Sequence, residues 1–365
     1  MAPLIKEFQK QPEKFETKVC VTAQHRQMLD QVLEVFDINP DFDLNIMAPN
    51  QDLFDITTKV ILGMRSVFEQ YLPDILLVHG DTTTSMAASV AGFYKKIKIG
   101  HVEAGLRTYD LTAPWPEEMN RQITDRICDY YFTPTQTTQS NLINEGIDKC
   151  KIYITGNTVI DALHMGIHII DTNASVKSEI VKTIIQAGYN RFIESVEQQK
   201  KYILITGHRR ENFGSGFLNI CKAIKEIALR NPEVDVVYPV HLNPNVQKPV
   251  YEILQNIQNV FLIPPLDYLP FLYLMKNSFI ILTDSGGIQE EAPSLKKPVL
   301  VMRDVTERPE ALAAGTVKLV GTDSQEIVRN VTKLIDDKNT YNMMSTGINP
   351  YGDGTTCRKI ANILN

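Results

Sequence analysis

Short apolar, β-branched-rich runs recur along the chain, separated by longer stretches with helical periodicity: TKVCVT near 17, DILLVHG near 74, KIKIGHVE near 96, YYFTP near 130, KIYITGN near 151, KYILITGH near 201, VDVVYPVH near 234, NVFLIPP near 259, SFIILTD near 278 and KPVLVMRD near 297. A run apolar on both faces cannot be a half-exposed strand. Alternation of such runs with helices specifies parallel sheets covered on both sides. The expected fold class is therefore α/β, with two Rossmann-like, doubly wound domains facing a cleft. The polar, helical stretch from about 165 to 200 has no strand run. It separates an N-terminal domain, 1–165, from a C-terminal domain, 166–349. In such sheets ligands sit beyond the carboxyl ends of the strands, where this chain carries its unusual polar residues.

At 365 residues the chain is long enough for two domains. Lys+Arg at 37 against Asp+Glu at 43 gives a net charge of −6, with no basic run to neutralise a phosphate backbone, so nucleic acid is not an expected partner. No apolar stretch approaches the roughly 20 residues of a membrane span, and MAPLIKEFQK has no signal-peptide core. A cytoplasmic location is expected, with no membrane partner. Cys20, Cys128, Cys150, Cys221 and Cys357 are widely spaced and lack a C-x-x-C, so neither disulfides nor structural zinc are expected. His164 and His168 have metal-like spacing but no further ligand nearby, and no metal is assigned.

Three carboxylates follow successive strand runs. Asp81 lies in VHGDTTTS, where it is also a candidate helix N-cap, Glu103 in GHVEAGLRT, and Glu117 opens a helix after Pro116. Glu117 stands four residues before Arg121, so a plain ion pair is an alternative to catalysis. General acid/base chemistry uses paired carboxylates of this kind. The second half carries the opposite charge: His208, Arg209 and Arg210 after one strand, and His241 after the next. A third strand runs into Ser285, Gly286 and Gly287 and then a helix, a turn suited to a diphosphate at the helix N-terminus. Glu291, one turn beyond Gly287, is spaced for ribose hydroxyls, and Arg303 and Arg308 follow the next strand. Gly214-x-Gly216 lacks a third glycine and follows no strand directly, so no nicotinamide cofactor is expected.

The motifs TAQHRQMLDQ, VHGDTTT, GHVEAGLRT, PEEMNR, TGNTVIDAL, HRREN, YPVHLNP, LTDSGGIQEEAPSLKKPVLVMRDVTERPE and NPYGDG together resemble the non-hydrolysing UDP-N-acetylglucosamine 2-epimerases over essentially the whole chain. The resemblance implies a glycosyltransferase-B fold, with a C-terminal helix in 350–365 crossing back onto the first domain, and a homodimer. It places Asp81, Glu103, Glu117 and His208 on the catalytic positions, and His241, Ser285, Gly286, Gly287, Glu291 and Arg308 at the UDP site. It matches Gln24, His25 and Gln27 to a second, activating site, although Asn50 stands where some relatives carry Arg. In that family a strand and an Arg- and Lys-bearing loop precede MAPLI. The first sheet is therefore expected to lack an interior strand that further N-terminal residues would supply.

The implied reaction interconverts UDP-N-acetylglucosamine and UDP-N-acetylmannosamine. UDP is eliminated to give a 2-acetamidoglucal and then adds back with inversion at sugar carbon 2, which needs no cofactor. A UDP-sugar glycosyltransferase of the same fold, an epimerase of a modified UDP-sugar, a hydrolysing epimerase and a UDP-sugar sensor are the alternatives.

Overall fold

The computed structural model describes residues 1–24 and 26–365, and the chain forms two compact units. The first comprises Met1–Ala162 with Tyr351–Asn365, the second Leu163–Pro350. The boundary falls inside a continuous helix, Thr158–Thr172, rather than in a loop.

In the first unit β1 (Cys20–Val21) pairs in parallel with β2 (Phe42–Asp43), its only partner among the described residues. A separate, all-parallel sheet runs in sequence order through β3 (Ile75–His79), β4 (Lys98–Val102), β5 (Tyr130–Thr133) and β6 (Ile152–Ile154). A cavity of about 760 Å³ is lined by Cys20 of β1 and by all of β3, together with Leu4, Met64 and Phe68. Alternation along β4 sorts its side chains. Ile99 joins the core beneath the helices Leu53–Gln70 and Thr83–Tyr94, and Val102 joins a smaller core with Leu4, Phe8, Phe132, Cys357 and Ile360. The helices Ala2–Gln9 and Thr356–Ile363 form that smaller core, so the last residues of the chain complete the first unit. Asp161 anchors them by accepting the Thr356 and Cys357 amides at 3.2 and 2.9 Å.

The second unit holds a six-stranded parallel sheet made of β7 (Tyr202–Thr206), β8 (Asp235–Pro239), β9 (Val260–Ile263), β10 (Ile280–Thr283), β11 (Val299–Val301) and β12 (Val317–Leu319). Its order is β12-β11-β10-β7-β8-β9. The chain thus reverses direction across the sheet between β7 and β10, which lie side by side. At such a switch point the two following turns diverge and leave a crevice for a ligand. Aliphatic residues such as Ile203, Ile205, Val236, Ile280 and Leu282 pack one face against the helices Ser215–Arg230 and Ser324–Asp336. Tyr189, Phe192, Tyr202 and Tyr273 pack edge-to-face as a second layer.

The backbone after β4 is tightly constrained. Gly105 has φ +83°, and a Cβ there would stand 2.3 Å from the Thr138 carbonyl oxygen. A main-chain oxygen cannot swing aside as a side chain can. Gly105→Ala is expected to lower stability by at least about 2 kcal/mol, combining left-handed strain with the clash. A urea melt reads this as a lower midpoint with an unchanged slope.

Candidate active site

Asp81 and Glu103 stand on turns at the ends of the neighbouring strands β3 and β4, whereas Glu117, expected to follow a further strand, opens a helix in the connection between β4 and β5. Asp81 follows β3, and its carboxylate accepts from Arg121 Nε and Nη2 at 3.1 and 2.7 Å. The Asp81 carbonyl accepts from Asn120 Nδ2 at 2.9 Å, which ties this turn to the helix Glu117–Ile127. Asp81 is not the cap of the following helix. Thr82 takes that role, its side chain accepting from the Ser85 amide, because its extended backbone points the shorter hydroxyl at the open helix end. The Asp81 carboxylate is thereby left free to turn toward Arg121.

Glu103 follows β4 in the left-handed region, φ +70°, a conformation unfavourable for a residue with a Cβ. Its carboxylate lies 3.3 Å from His79 Nε2, and a Cβ on Gly80 would be 3.6 Å from Glu103 Oε2. Burial pushes the His79 pKa well below its ordinary value, so the imidazole beside Glu103 is neutral. Strain of this kind persists only where surrounding structure enforces it, and it gathers at functional positions.

Glu117 opens its helix behind Pro116, half-buried, with no ion-pair or hydrogen-bond partner for its carboxylate among the described residues. The ion pair with Arg121 that its spacing offered as an alternative to catalysis is absent among the described residues. Arg121 instead bridges Asp81 and Glu118, the latter at 2.9 Å, because its side chain turns inward under the β3 turn. Glu118 is fully buried. Burial pushes its pKa up, but hydrogen bonds from Gln122, Thr108, Arg121 and Tyr109 outweigh burial and hold it below the usual carboxylate value. Those bonds also pin residues 108 and 109 of the loop before Glu117. Arg121 and Glu118 were not singled out as site residues by the sequence. Their partners lie in a strand turn and a loop that only the tertiary fold brings near.

The second unit presents the complementary set at its switch point. His208 and Arg209 follow β7, and both backbone amides donate to Asp284 Oδ2, at 2.8 and 2.9 Å. Asp284 directly follows β10, so a single buried carboxylate locks the two diverging turns together. Its other oxygen has no hydrogen-bond partner among the described residues and lies 3.7 Å from His208 Nδ1. The His208 ring stacks on His241, centroids 5.1 Å apart and planes 12° from parallel. Burial lowers the His208 pKa, with His241 and Arg209 pushing the same way and Asp284 opposing them.

Ser285 is the cap residue of the helix Gly286–Ser294, but its side chain makes no cap hydrogen bond, so the first-turn amides are available to an anion. A Cβ on Gly287 would meet nothing within 4 Å, which marks open space at that end. Glu291 lies one turn further along. Burial, helped by the neighbouring Glu290, raises its pKa to about 8. Arg308 bonds to Glu290 through Nε. Arg303 is engaged by Glu211 and Glu307, at 2.5 and 2.8 Å, and is nearly buried. Its charge is therefore spent on structure rather than offered to a phosphate.

Of the expected second-site residues, Gln24 accepts a hydrogen bond from Thr84 Oγ1 at 3.0 Å. His25 and the Gln27 side chain lie outside the described residues. Asn50 is exposed, with φ +56°. Among the described residues no cluster of three or more His, Cys, Asp or Glu could hold a metal ion, and no helix is long and apolar enough to cross a membrane.

Residues 6–365 match the family model described as UDP-N-acetylglucosamine 2-epimerase. The UDP-N-acetylglucosamine 2-epimerase of Campylobacter jejuni is 57% identical over 364 residues, covering 100% of this chain and 93% of that protein. The Escherichia coli K12 protein of the same name is 54% identical over 364 residues, with 100% and 94% coverage. A crystal structure of UDP-GlcNAc 2-epimerase from Neisseria meningitidis bound to UDP-GlcNAc superposes with a TM-score of 0.89 at 51% identity, covering 100% of this chain and 95% of that one. The chain belongs to the UDP-N-acetylglucosamine 2-epimerase family.

Proposed function

We propose that this protein interconverts UDP-N-acetylglucosamine and UDP-N-acetylmannosamine by elimination and re-addition of UDP. The hydrogen at sugar carbon 2 is not adjacent to a ring carbonyl, so its removal alone gives no stabilised anion. Loss of the proton is instead coupled to departure of UDP. A carboxylate takes the proton, the C1–O bond to UDP breaks with its electron pair, and a C1–C2 double bond forms in an enzyme-bound 2-acetamidoglucal. UDP then returns to C1 while a proton arrives at the opposite face of C2. The hydrogen leaves and returns as a proton, so no redox cofactor is consumed.

The observation that carries this reading is the trio of carboxylates in one unit, Asp81 and Glu103 on strand-end turns and Glu117 at a helix start, more than a sugar transferase or a sensor requires. Asp81 is held by a cation, Glu103 by a strained turn, and Glu117 is unpaired among the described residues, three environments suited to different proton-transfer roles. In the second unit the uncapped helix at Gly286, His208, His241 and Arg308 serve the diphosphate, and Glu291 serves the ribose. The working form is a homodimer in the cytoplasm. A second UDP-sugar site at Gln24, His25 and Gln27 would appear as sigmoidal kinetics that Gln24→Ala makes hyperbolic.

The test is incubation of the purified protein with either UDP-sugar alone. The same equilibrium mixture should form from both directions without added NAD or metal. Turnover only after an acceptor is added would favour the glycosyltransferase, and release of free N-acetylmannosamine would favour the hydrolysing enzyme.

A further inference from the structure

One buried polar chain joins the turns that carry Asp81 and Glu103. His101, in β4, is completely buried. Its Nε2 lies 2.9 Å from the carbonyl oxygen of Gly80, and its Nδ1 lies 2.6 Å from Asp125 Oδ1. The other Asp125 oxygen accepts the Gly105 amide at 3.2 Å and pairs with Arg107 Nη2 at 2.8 Å. Arg107 in turn forks onto Glu145, Nε and Nη2 donating at 2.6 and 2.8 Å. The order is cation, anion, cation, anion, a run that neutralises itself and leaves no buried charge without a partner.

Both ring nitrogens of His101 face oxygens that can only accept, a main-chain carbonyl and a carboxylate paired with an arginine. A neutral imidazole carries one N–H. It would leave a nitrogen lone pair against an oxygen lone pair in a site closed to water, at the cost of an unsatisfied buried group. The doubly protonated ring satisfies both.

We propose that His101 is a positioning residue for the epimerisation: a doubly protonated imidazolium that, through Gly80 on one side and Asp125 on the other, fixes the turns bearing Asp81 and Glu103 relative to each other. Gly80 directly precedes Asp81, and Gly105 closes the turn that begins at Glu103. One imidazolium–carboxylate pair therefore grips both turns from below. The charged and titratable groups facing His101 are Asp125, Glu103 and His79, with Arg107 behind Asp125. Burial disfavours the charged ring, but Asp125, the Gly80 carbonyl and Glu103 outweigh it and raise the His101 pKa.

The inference rests on the epimerase reading, and its first test does not depend on activity. Nitrogen-15 NMR of the histidine-labelled, full-length protein should show one histidine with both ring nitrogens protonated, persisting at pH 7, where an ordinary histidine has lost that proton, and vanishing in His101→Gln. Only neutral-ring signals at pH 7 would overturn the proposal, even for an active enzyme. The second test is kinetic. His101→Gln keeps one donor toward Gly80 but loses the link to Asp125, and should lower kcat about 10²-fold through misplacement of the carboxylates. The Kd for UDP should stay unchanged. Asp125→Asn should remove the doubly protonated ring signal and give a similar kcat loss. Full activity in folded His101→Gln would also overturn it. An inactive wild-type protein with an intact imidazolium signal would instead count against the epimerase reading.

Discussion

Replacing Glu117 by glutamine is expected to reduce kcat by about 10²–10⁴-fold, the range for loss of a general acid or base. The Kd for UDP should not move. Glutamine has nearly the same shape, and the Glu117 carboxylate has no partner among the described residues, so the substitution breaks no contact and the melting curve should also be unchanged. Asp81→Asn should produce a comparable loss of turnover with a different thermal signature. One oxygen of its carboxylate accepts both Nε and Nη2 of Arg121, and the variant replaces that charged acceptor with a neutral amide oxygen, leaving Glu118 as the carboxylate paired with the guanidinium. Asp81 is partly exposed, so the structural loss is modest, about 1 kcal/mol. Calorimetry with UDP, steady-state kinetics and a thermal melt on both variants check the pair of outcomes. Weakened UDP binding in Glu117→Gln would mean that this carboxylate holds the nucleotide and is not a proton-transfer group.

Above pH 8, where its carboxyl is ionised, Glu291→Gln is expected to weaken UDP by very roughly 1.5–3 kcal/mol, or 10–100-fold in Kd, through loss of charge-assisted bonds from the ribose hydroxyls. The same change should stabilise the free protein. Glu291 has a folded pKa of about 8, raised by burial and by Glu290, against an ordinary carboxylate value near 4.5. Between those values the folded chain holds a proton that the unfolded chain has released. Stability therefore falls as pH rises, by about 1.4 kcal/mol per pH unit, and the loss is complete only above the folded pKa. Glutamine has no charge to bury. The gain in Tm over wild type should be larger at pH 8 than at pH 5. A Tm gain independent of pH, or unaltered UDP affinity, would contradict this assignment. A group kept at a cost to stability is what a binding site requires of its ligand contacts.

Much of this arrangement was legible in the sequence because strand ends in parallel sheets are where polar residues have no packing reason to be. Asp81, Glu103, His208, His241 and Ser285 all stand just past strands identified from apolar runs alone. Two strands were not legible. Phe42–Asp43 spans two residues, and Val317–Leu319 sits in a short run between Gly315 and Gly321 with Lys318 at its centre. Neither is long enough to display a period. The surroundings of the candidate site were less visible for another reason. Helical spacing pairs Glu117 with Arg121, but the fold hands Arg121 to Asp81, forty residues earlier. His101 reads as one more residue of a strand until Asp125, a helix away, is placed against it. Asp81 was a plausible cap on chemistry alone, and only backbone angles gave that role to Thr82. Local patterns reveal where a side chain emerges, and long-range pairing decides what it meets.

The account's central claim is that the hydrogen at sugar carbon 2 leaves as a proton and returns from solvent on the opposite face. Proton NMR of UDP-N-acetylglucosamine incubated with the protein in deuterated water reads this directly. The expected result is UDP-N-acetylmannosamine with deuterium at carbon 2, followed by deuterium at the same carbon of the remaining UDP-N-acetylglucosamine as the mixture equilibrates. Epimerisation with the original hydrogen retained at carbon 2 would contradict the elimination mechanism and the acid/base roles given to Asp81, Glu103 and Glu117.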